Sequence, residues 1–447
     1  MLAPRIAVLR HIPFVVPFSD RVRLFHALIN RDRSRLGVGS LGNITSSSPF
    51  GMHTAARATV RRGRIFDDGF RALGRSDMFK RRMQIEFVDR YGMPEAGIDG
   101  GGVFKEFLTS LVREAFDPGE GLFNATAQNN LYPNPESVSV DAADKQLMLD
   151  KYEFLGAVIG KALYEGVLVD APFALFFLGR WLSQLPGFND LPTLDEDLYR
   201  GLVVLKNYPV PETSNGDSSD EDDVIYSVFG LDFTTTVSTA DGQTKSVPLA
   251  PKGDAIKVTS HNRLLYLDLV AQYKLVKQID TPVRAFLSGL HAIIPPVWLR
   301  LLFASPLELS RLLCGDSGAI DITDWKRNTV YAGAFSGRGS EHPTVRIFWD
   351  VVENSLTERQ CRELCKFATS CERPPLLGFS ELNPRFCIRS SDDGDESLLT
   401  DEREQNARLP SASTCVNLLK LPIYSSRQVL LEKLTTAIES GAGFDLS

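Results

Sequence analysis

The stretch from Phe154 to Leu178, FLGAVIGKALYEGVLVDAPFALFFL, limits what this chain can become more than any other part of it. The segment YEFLGAVIGKALYEGVLV is apolar nearly all the way round a helix, so it has no face to give to water and belongs deep inside a core. Lys161, Glu165 and Asp170 interrupt the run, which argues against a membrane span. With 447 residues, 43% hydrophobic and 23% charged, the chain has ample material for sizeable cores and suits two or three domains.

Organisation follows from where the helical spacing stops. FSDRVRLFHALINRDRSR places Val22, Phe25, Leu28 and Ile29 at helical intervals, with Ser19 and Asp20 as capping candidates. LGVGSLGNITSSSPFG then reads as a linker. A globular region is expected from about residue 70 to 314, with a glycine-rich turn in GIDGGGVFKEFL feeding an amphipathic helix. A break is expected at CGDSGAID. Beyond it TVRIFWDVVENSL and TERQCRELCKFATSC read as helices, FCIRS and a strand from Val416 to Leu421 as β-structure, and SSRQVLLEKLTTAIES as a closing helix striped by Leu430, Leu431, Leu434 and Ile438. This tail is the size of a small α+β domain. Two stretches, 211–223 and 390–407, are acidic and poor in apolar residues and read as surface insertions.

The net charge of −7 hides an asymmetry: residues 1–90 hold 17 basic and 7 acidic residues, the remainder 32 and 49. The basic leader carries no nucleic-acid-binding motif, and its arginines interleave with apolar helical positions, so a solvated helix face is expected. Arg5 and Arg10 precede any acid, but Pro13 and Pro17 break the apolar run. No cleaved targeting segment is expected, and the expected compartment is cytosol or nucleus, where thiols stay reduced.

Familiar catalytic patterns are missing from the text of the chain. GIDGGGVFK lacks the Gly-Lys-Ser/Thr that a phosphate-binding loop needs, and neither Gly-x-Ser-x-Gly nor His-Glu-x-x-His occurs. Cys361, Cys365 and Cys371 cluster without a Cys-x-x-Cys pair or nearby histidine, so they read as small apolar side chains on a buried face and no metal site is expected. Cys415 stands apart. In RLPSASTCVNLLKLPIY it lies among small polar residues at a loop-to-strand junction, where neighbouring donors can raise the thiolate fraction of a thiol whose ordinary pKa is about 8.5. On local chemistry alone the inert, buried structural cysteine is the favoured reading over the reactive thiol, because most cysteines are inert.

The segment LPSASTCVNLLKLPIY and the ending AGFDLS resemble the catalytic end of HECT-type ubiquitin ligases. AGIDGGGVFKEFL, LYPNP, FLGAVIGKALYEGVLVDAPFA, DWKRNTVYAGAF, FWDVV and RPPLLGFSEL follow in the family's order across roughly residues 70 to 447. STCVNLLKLP, GFDLS and IPFVVPFSDRVRLFHALINRD most resemble the branch that carries an upstream calmodulin-binding IQ motif, together with related plant ligases.

That resemblance implies an α+β, bilobal fold: a basic helical leader and linker over 1–69, a mainly helical N-lobe over 70–314, a hinge at 315–319, and a C-lobe over 320–447. It implies that Cys415 is a thioester nucleophile, that Thr414 positions it, and that Phe444 orients the lobes for lysine attack. Within a subdomain at about 190–260, it implies that Leu198, Gly201, Tyr208, Phe229 and Leu231 bind a ubiquitin-conjugating enzyme. Ubiquitin and protein substrates are the other implied partners; no cofactor, nucleic acid or membrane is implied. Ser413 stands where many members have His, so no general base is assigned, and Val416 stands where many have Phe. An inert scaffold for the conjugating enzyme, or a cysteine hydrolase that removes ubiquitin, are the competing readings.

Overall fold

The apolar positions sort into two separate cores. In the computed structural model, which describes residues 3–36, 56–74, 79–80, 83–89, 91–94, 102–138, 142–210, 223–238, 244–315, 318–369, 371, 373–382, 384–391 and 408–440, one core runs from Val22 to Cys314 and the other from Ile320 to Ile438. The molecule is therefore bilobal and α+β, with a large helical lobe and a small lobe built on a four-stranded sheet.

The large lobe opens with α1 (Ala3–His11) and α2 (Phe18–Leu36). Strands β1 (Ala56–Arg61) and β2 (Met83–Val88) pair in parallel through α3 (Ile65–Leu73), and α4 (Gly102–Ala115) follows. After the hairpin of β3 (Phe123–Ala125) and β4 (Leu131–Pro133) comes the long helix α5 (Ala142–Glu165), then α6 (Leu175–Trp181). Helices α7 (Glu196–Asn207) and α8 (Val224–Phe229) precede a hairpin of β5 (Thr234–Ser238) and β6 (Thr244–Pro248). The lobe closes with α9 (Arg263–Leu275), α10 (Asp280–Ile293), α11 (Pro296–Leu302) and α12 (Pro306–Cys314).

Helix α5 is the buried helix that the sequence demands, with Phe154, Leu155, Val158 and Ile159 all inaccessible. It lies against α10 with the backbones nearly touching. A Cβ on Gly156 would strike the carbonyl oxygen of Phe286, and one on Gly289 would strike that of Glu153. Such proximity brings Phe286 under the aromatic cluster of Phe177 and Trp181, with ring centroids 5.3 and 5.4 Å away. The polar interruptions of α5 are paired. Lys161 reaches Glu165 at 2.7 Å, and Arg33 from α2 reaches the same carboxylate at 2.6 Å, so two buried cations share one buried carboxylate.

Residues 18–36 and 56–69, read in the sequence as leader and linker, are built into this core, and the expected boundary at residue 69 falls inside α3. The reason is burial: Val22, Phe25 and Ile29 face inward, and Arg21 donates to both oxygens of Glu308, at 2.7 and 2.6 Å, and to the Leu302 carbonyl at 2.7 Å. Helix α2 also starts at Phe18 rather than after Ser19 and Asp20, because the Pro17 carbonyl already accepts from the Asp20 and Arg21 amides. The linker text around 37–50, the glycine turn at 95–101 and the acidic stretches over 211–222 and 392–407 lie outside the described residues.

The small lobe starts with α13 (Ile322–Arg327) and β7 (Val330–Ala332), then α14 (Pro343–Asn354) and α15 (Glu358–Thr369). Its sheet is completed by β8 (Cys387–Ser390), β9 (Ser411–Ser413) and β10 (Leu418–Leu421), and α16 (Arg427–Ser440) packs against α14 and α15. The strand order is β7-β8-β10-β9, parallel except for the β10–β9 pair. Between the lobes Gly315 sits at φ 84°, a left-handed conformation in which a Cβ would also meet the Pro374 carbonyl at 2.8 Å.

Gly289→Ala is expected to destabilise the large lobe by about 3 kcal/mol, since neither backbone at the α5–α10 contact has room to retreat. Urea unfolding checks this: the midpoint falls, and an unmoved midpoint contradicts the packing.

Candidate functional site

The turn that carries Cys415 differs from the strand that the sequence suggests. Alternation along β9 and β10 sends Ala412, Leu419 and Leu421 into the small core and leaves Ser411, Ser413, Leu418 and Lys420 half-buried. Between these strands Thr414–Val416 forms a single 3-10 turn, and Asn417 follows at φ 52°, ψ 43°. The expected strand start at Val416 is therefore corrected to Leu418. The left-handed Asn417 breaks the ladder, a conformation that Asn tolerates better than most residues. The Cys415 backbone occupies the middle of the turn; its side chain lies outside what the structure describes, as does Phe444.

Asn417 holds the turn together. It is 0% exposed, and every polar group of it is engaged. Its amide donates to the Thr414 carbonyl at 3.3 Å, and its own carbonyl accepts from the Cys387 amide at 3.0 Å. Its Nδ2 donates to the Pro384 carbonyl at 2.6 Å, and its Oδ1 accepts from Lys105 Nζ at 2.7 Å. Lys105 belongs to α4 of the large lobe, so this last bond crosses between the lobes; the same Nζ also lies 3.4 Å from the Thr414 carbonyl. Thr414 is thus anchored through its backbone, from its own lobe and from the other. Helix α15 packs on the turn from the small-lobe side.

The five cysteines whose side chains are described contrast with this setting. Cys314, Cys361, Cys365 and Cys371 are buried and Cys387 is half-buried. Burial pushes all five thiols up, Cys314 and Cys365 to about 12. Lys105 pulls Cys365 and Cys371 the other way without outweighing burial, which places its charge within reach of both. Cys361 and Cys365 lie on the inner face of α15, as small apolar residues would. Among the described residues no group of His, Cys, Asp and Glu has the proximity to hold a metal ion, and no single described helix is long and apolar enough to cross a membrane.

His342 is a structural residue: it packs edge-on to Phe335 at 4.8 Å, and its Nδ1 accepts from the Thr344 amide at the start of α14. A different histidine lies nearer the junction. His26 lines an interlobe cavity of ≈ 370 Å³ shared with Lys105, Arg373, Glu381 and Asn417, and burial lowers its pKa.

The residues read as a conjugating-enzyme surface lie together on α7, α8 and the segments after them. Leu198, Tyr208, Phe229 and Leu231 are half-buried against the large core, and Gly201 is exposed with open space where a side chain would stand. Tyr208 and Phe229 meet edge to face at 5.3 Å. Sequence reasoning missed their neighbours Val204 and Val228, which are 58% and 51% exposed. An apolar residue one helical turn from Gly201 was the available signal. It missed Lys105 and Asn417 as well, which bond to each other across 312 positions of the chain.

Comparison with known proteins places these features in a family. A family model described as HECT-domain (ubiquitin-transferase) matches residues 109–447. The chain is 39% identical to ubiquitin-protein ligase E3B of Mus musculus, over 98% of this chain and 40% of that protein. It is 36% identical to E3 ubiquitin-protein ligase UPL6 of Arabidopsis thaliana, over 98% and 39%, and 38% identical to E3 ubiquitin-protein ligase HUL5 of Saccharomyces cerevisiae, over 99% and 45%. The chain thus spans less than half the length of these relatives.

Raised thiol pKa values mean protonated sulfur at neutral pH: for a pKa of about 12, roughly one thiol in ten thousand is ionised at pH 8. Native alkylation with iodoacetamide at pH 8 is therefore expected to leave Cys314 and Cys365 unmodified, while the urea-unfolded chain reacts at both. Rapid native labelling of Cys365 contradicts the burial described.

Proposed function

The chain belongs to the HECT-domain (ubiquitin-transferase) family, and from that premise we propose that it accepts ubiquitin from a conjugating enzyme as a thioester on Cys415 and passes it to a substrate lysine. The observation that carries this reading is the placement of the Cys415 turn. It caps the sheet of the small lobe and lies directly against α4 of the large one, joined by the Lys105–Asn417 bond. A cysteine so placed suits a carrier that must face a donor and afterwards an acceptor.

The chemistry is two acyl transfers. The Cys415 thiolate attacks the thioester carbonyl carbon of the charged conjugating enzyme; a new C–S bond forms and the donor thiolate leaves. A lysine amine then attacks the carbonyl carbon of the Cys415 thioester, the C–N bond forms as the C–S bond breaks, Cys415 leaves as thiolate, and the amine gives up its proton to water. Thioester exchange is nearly balanced in energy, so the protein's task is to activate and position the sulfur. Thr414 supports its position through the carbonyl that Lys105 and Asn417 engage. Rotation about residues 315–319, beginning at the left-handed Gly315, supplies the change of partner.

The same proposal assigns the apolar face of Leu198, Gly201, Tyr208, Phe229 and Leu231, extended by Val204 and Val228, to docking of the conjugating enzyme in the cytosol or nucleus. Membership in the branch that has an upstream calmodulin-binding IQ motif is part of this reading. Likeness to the Arabidopsis ligase supports its plant side. Phe444 is assigned to orienting the lobes for lysine attack.

Reconstitution with ubiquitin, activating enzyme and a panel of conjugating enzymes tests the mechanism. Wild type is expected to form a ubiquitin adduct that reducing agent removes, and Cys415→Ala to form none. If no conjugating enzyme charges the wild type, or the mutant charges equally, the mechanism fails. Phe444→Ala is expected to keep the adduct and slow transfer to lysine about tenfold or more; chain formation at the wild-type rate refutes its role.

A further inference from the structure

We propose that Lys105 is a positioning residue for the acyl carrier: its ammonium, reaching across from the large lobe, holds the Cys415 turn and favours the ionised thiol while the lobes are docked. The inference rests on Cys415 being the nucleophile, and it adds a cationic side chain from the opposite lobe to that reading.

The geometry is specific. Lys105 lies in the first turn of α4, facing the small lobe, and its Nζ reaches the Cys415 turn at Asn417 Oδ1, 2.7 Å away, and at the Thr414 carbonyl, 3.4 Å away. That carbonyl belongs to the peptide bond that joins Thr414 to Cys415. The charge therefore stands against the backbone carrying the sulfur, well inside the ~8 Å over which charges act with little screening at physiological salt. Asn417 is fixed by three further bonds, so the ammonium meets a rigid acceptor and not a mobile loop.

Several other titratable and charged groups face the same region, and Lys105 is the one seen to bond the turn itself. From α15 and the segment after it come Cys365 and Cys371, whose thiols burial keeps protonated. Across the interlobe cavity stand His26, Arg33, Glu165, Arg373 and Glu381. Glu165 is engaged by Arg33 and Lys161, and burial keeps His26 neutral near pH 7. Further along α4, Glu106 pairs with Arg62. A nearby cation favours the charged form of a thiol, which is the usual route to a reactive cysteine.

The assisted step is loss of the Cys415 proton to water; the ammonium keeps its own protons and forms no covalent bond. Because the cation and the thiol ride on different lobes, activation is tied to the docked arrangement and fades when the small lobe swings away.

The test follows the rate of Cys415 alkylation by iodoacetamide against pH in the intact chain, read from the tryptic peptide 409–420, which holds no other cysteine. Lys105→Met, Lys105→Gln and Lys105→Arg are compared with wild type, with urea unfolding as the control for folding. Glutamine keeps a donor for Asn417 and removes the charge. Met and Gln are both expected to raise the midpoint by about half to one pH unit, and Arg to leave it near wild type. An unmoved midpoint in Met and Gln overturns the proposal. So does a shift in Met alone, which assigns the contact to hydrogen bonding without charge, or an equal shift in all three, which assigns it to packing. Neither ubiquitin nor a conjugating enzyme enters this experiment, so its failure leaves the thioester reading standing, and a missing adduct in reconstitution leaves this measurement intact.

Discussion

The candidate site depends on one buried side chain. Asn417 closes the 3-10 turn that contains Cys415, ties it to the neighbouring strand, and offers its amide oxygen to a lysine of the other lobe. A buried amide left with unmet hydrogen bonds costs on the order of 1–3 kcal/mol for each group, so these partners are obligatory. Satisfying all of them with contacts from both lobes makes Asn417 the point where the shape of the Cys415 turn and the docking of the lobes are set together. Its left-handed backbone also explains why the thiol is carried on a turn and not within a strand.

A second constraint acts by exclusion. Most cysteines of this chain do packing work: Cys361 and Cys365 fill the inner face of α15, and Cys314 and Cys371 meet at the lobe junction, where the Cys371 sulfur lies 3.7 Å from the Cys314 carbonyl. Burial that makes them good core residues makes them poor nucleophiles, since it disfavours the thiolate. The large lobe supplies the rigid counterpart. Its glycine-mediated α5–α10 contact and the paired charges of Arg33, Lys161 and Glu165 fix the helical frame from which α4 presents Lys105.

Much of this was legible in the residue order, and the limits of legibility have physical causes. The buried α5, the two-lobe division near residue 315, and the helices α14, α15 and α16 follow from periodicity, which records burial directly. Helix α2 was visible as a helix, but its place in the core was not, because that depends on Arg21 meeting Glu308, 287 residues away. The β9–β10 turn was misread as strand because Leu418 to Leu421 carry strong β character, and only Asn417 hinted at the left-handed break. Nothing in the residue order singles out Lys105, because its partner Asn417 is brought near by tertiary folding alone.

If the proposed thioester forms, ubiquitin sits on Cys415 and on no other thiol. Charging the chain briefly, quenching without reductant and mapping the ubiquitin remnant by mass spectrometry decides this. The remnant is expected on peptide 409–420 at Cys415, in a bond that reducing agent cleaves. A remnant on Cys314, Cys361, Cys365, Cys371 or Cys387, or one found solely on lysine with no thiol-sensitive precursor, contradicts it.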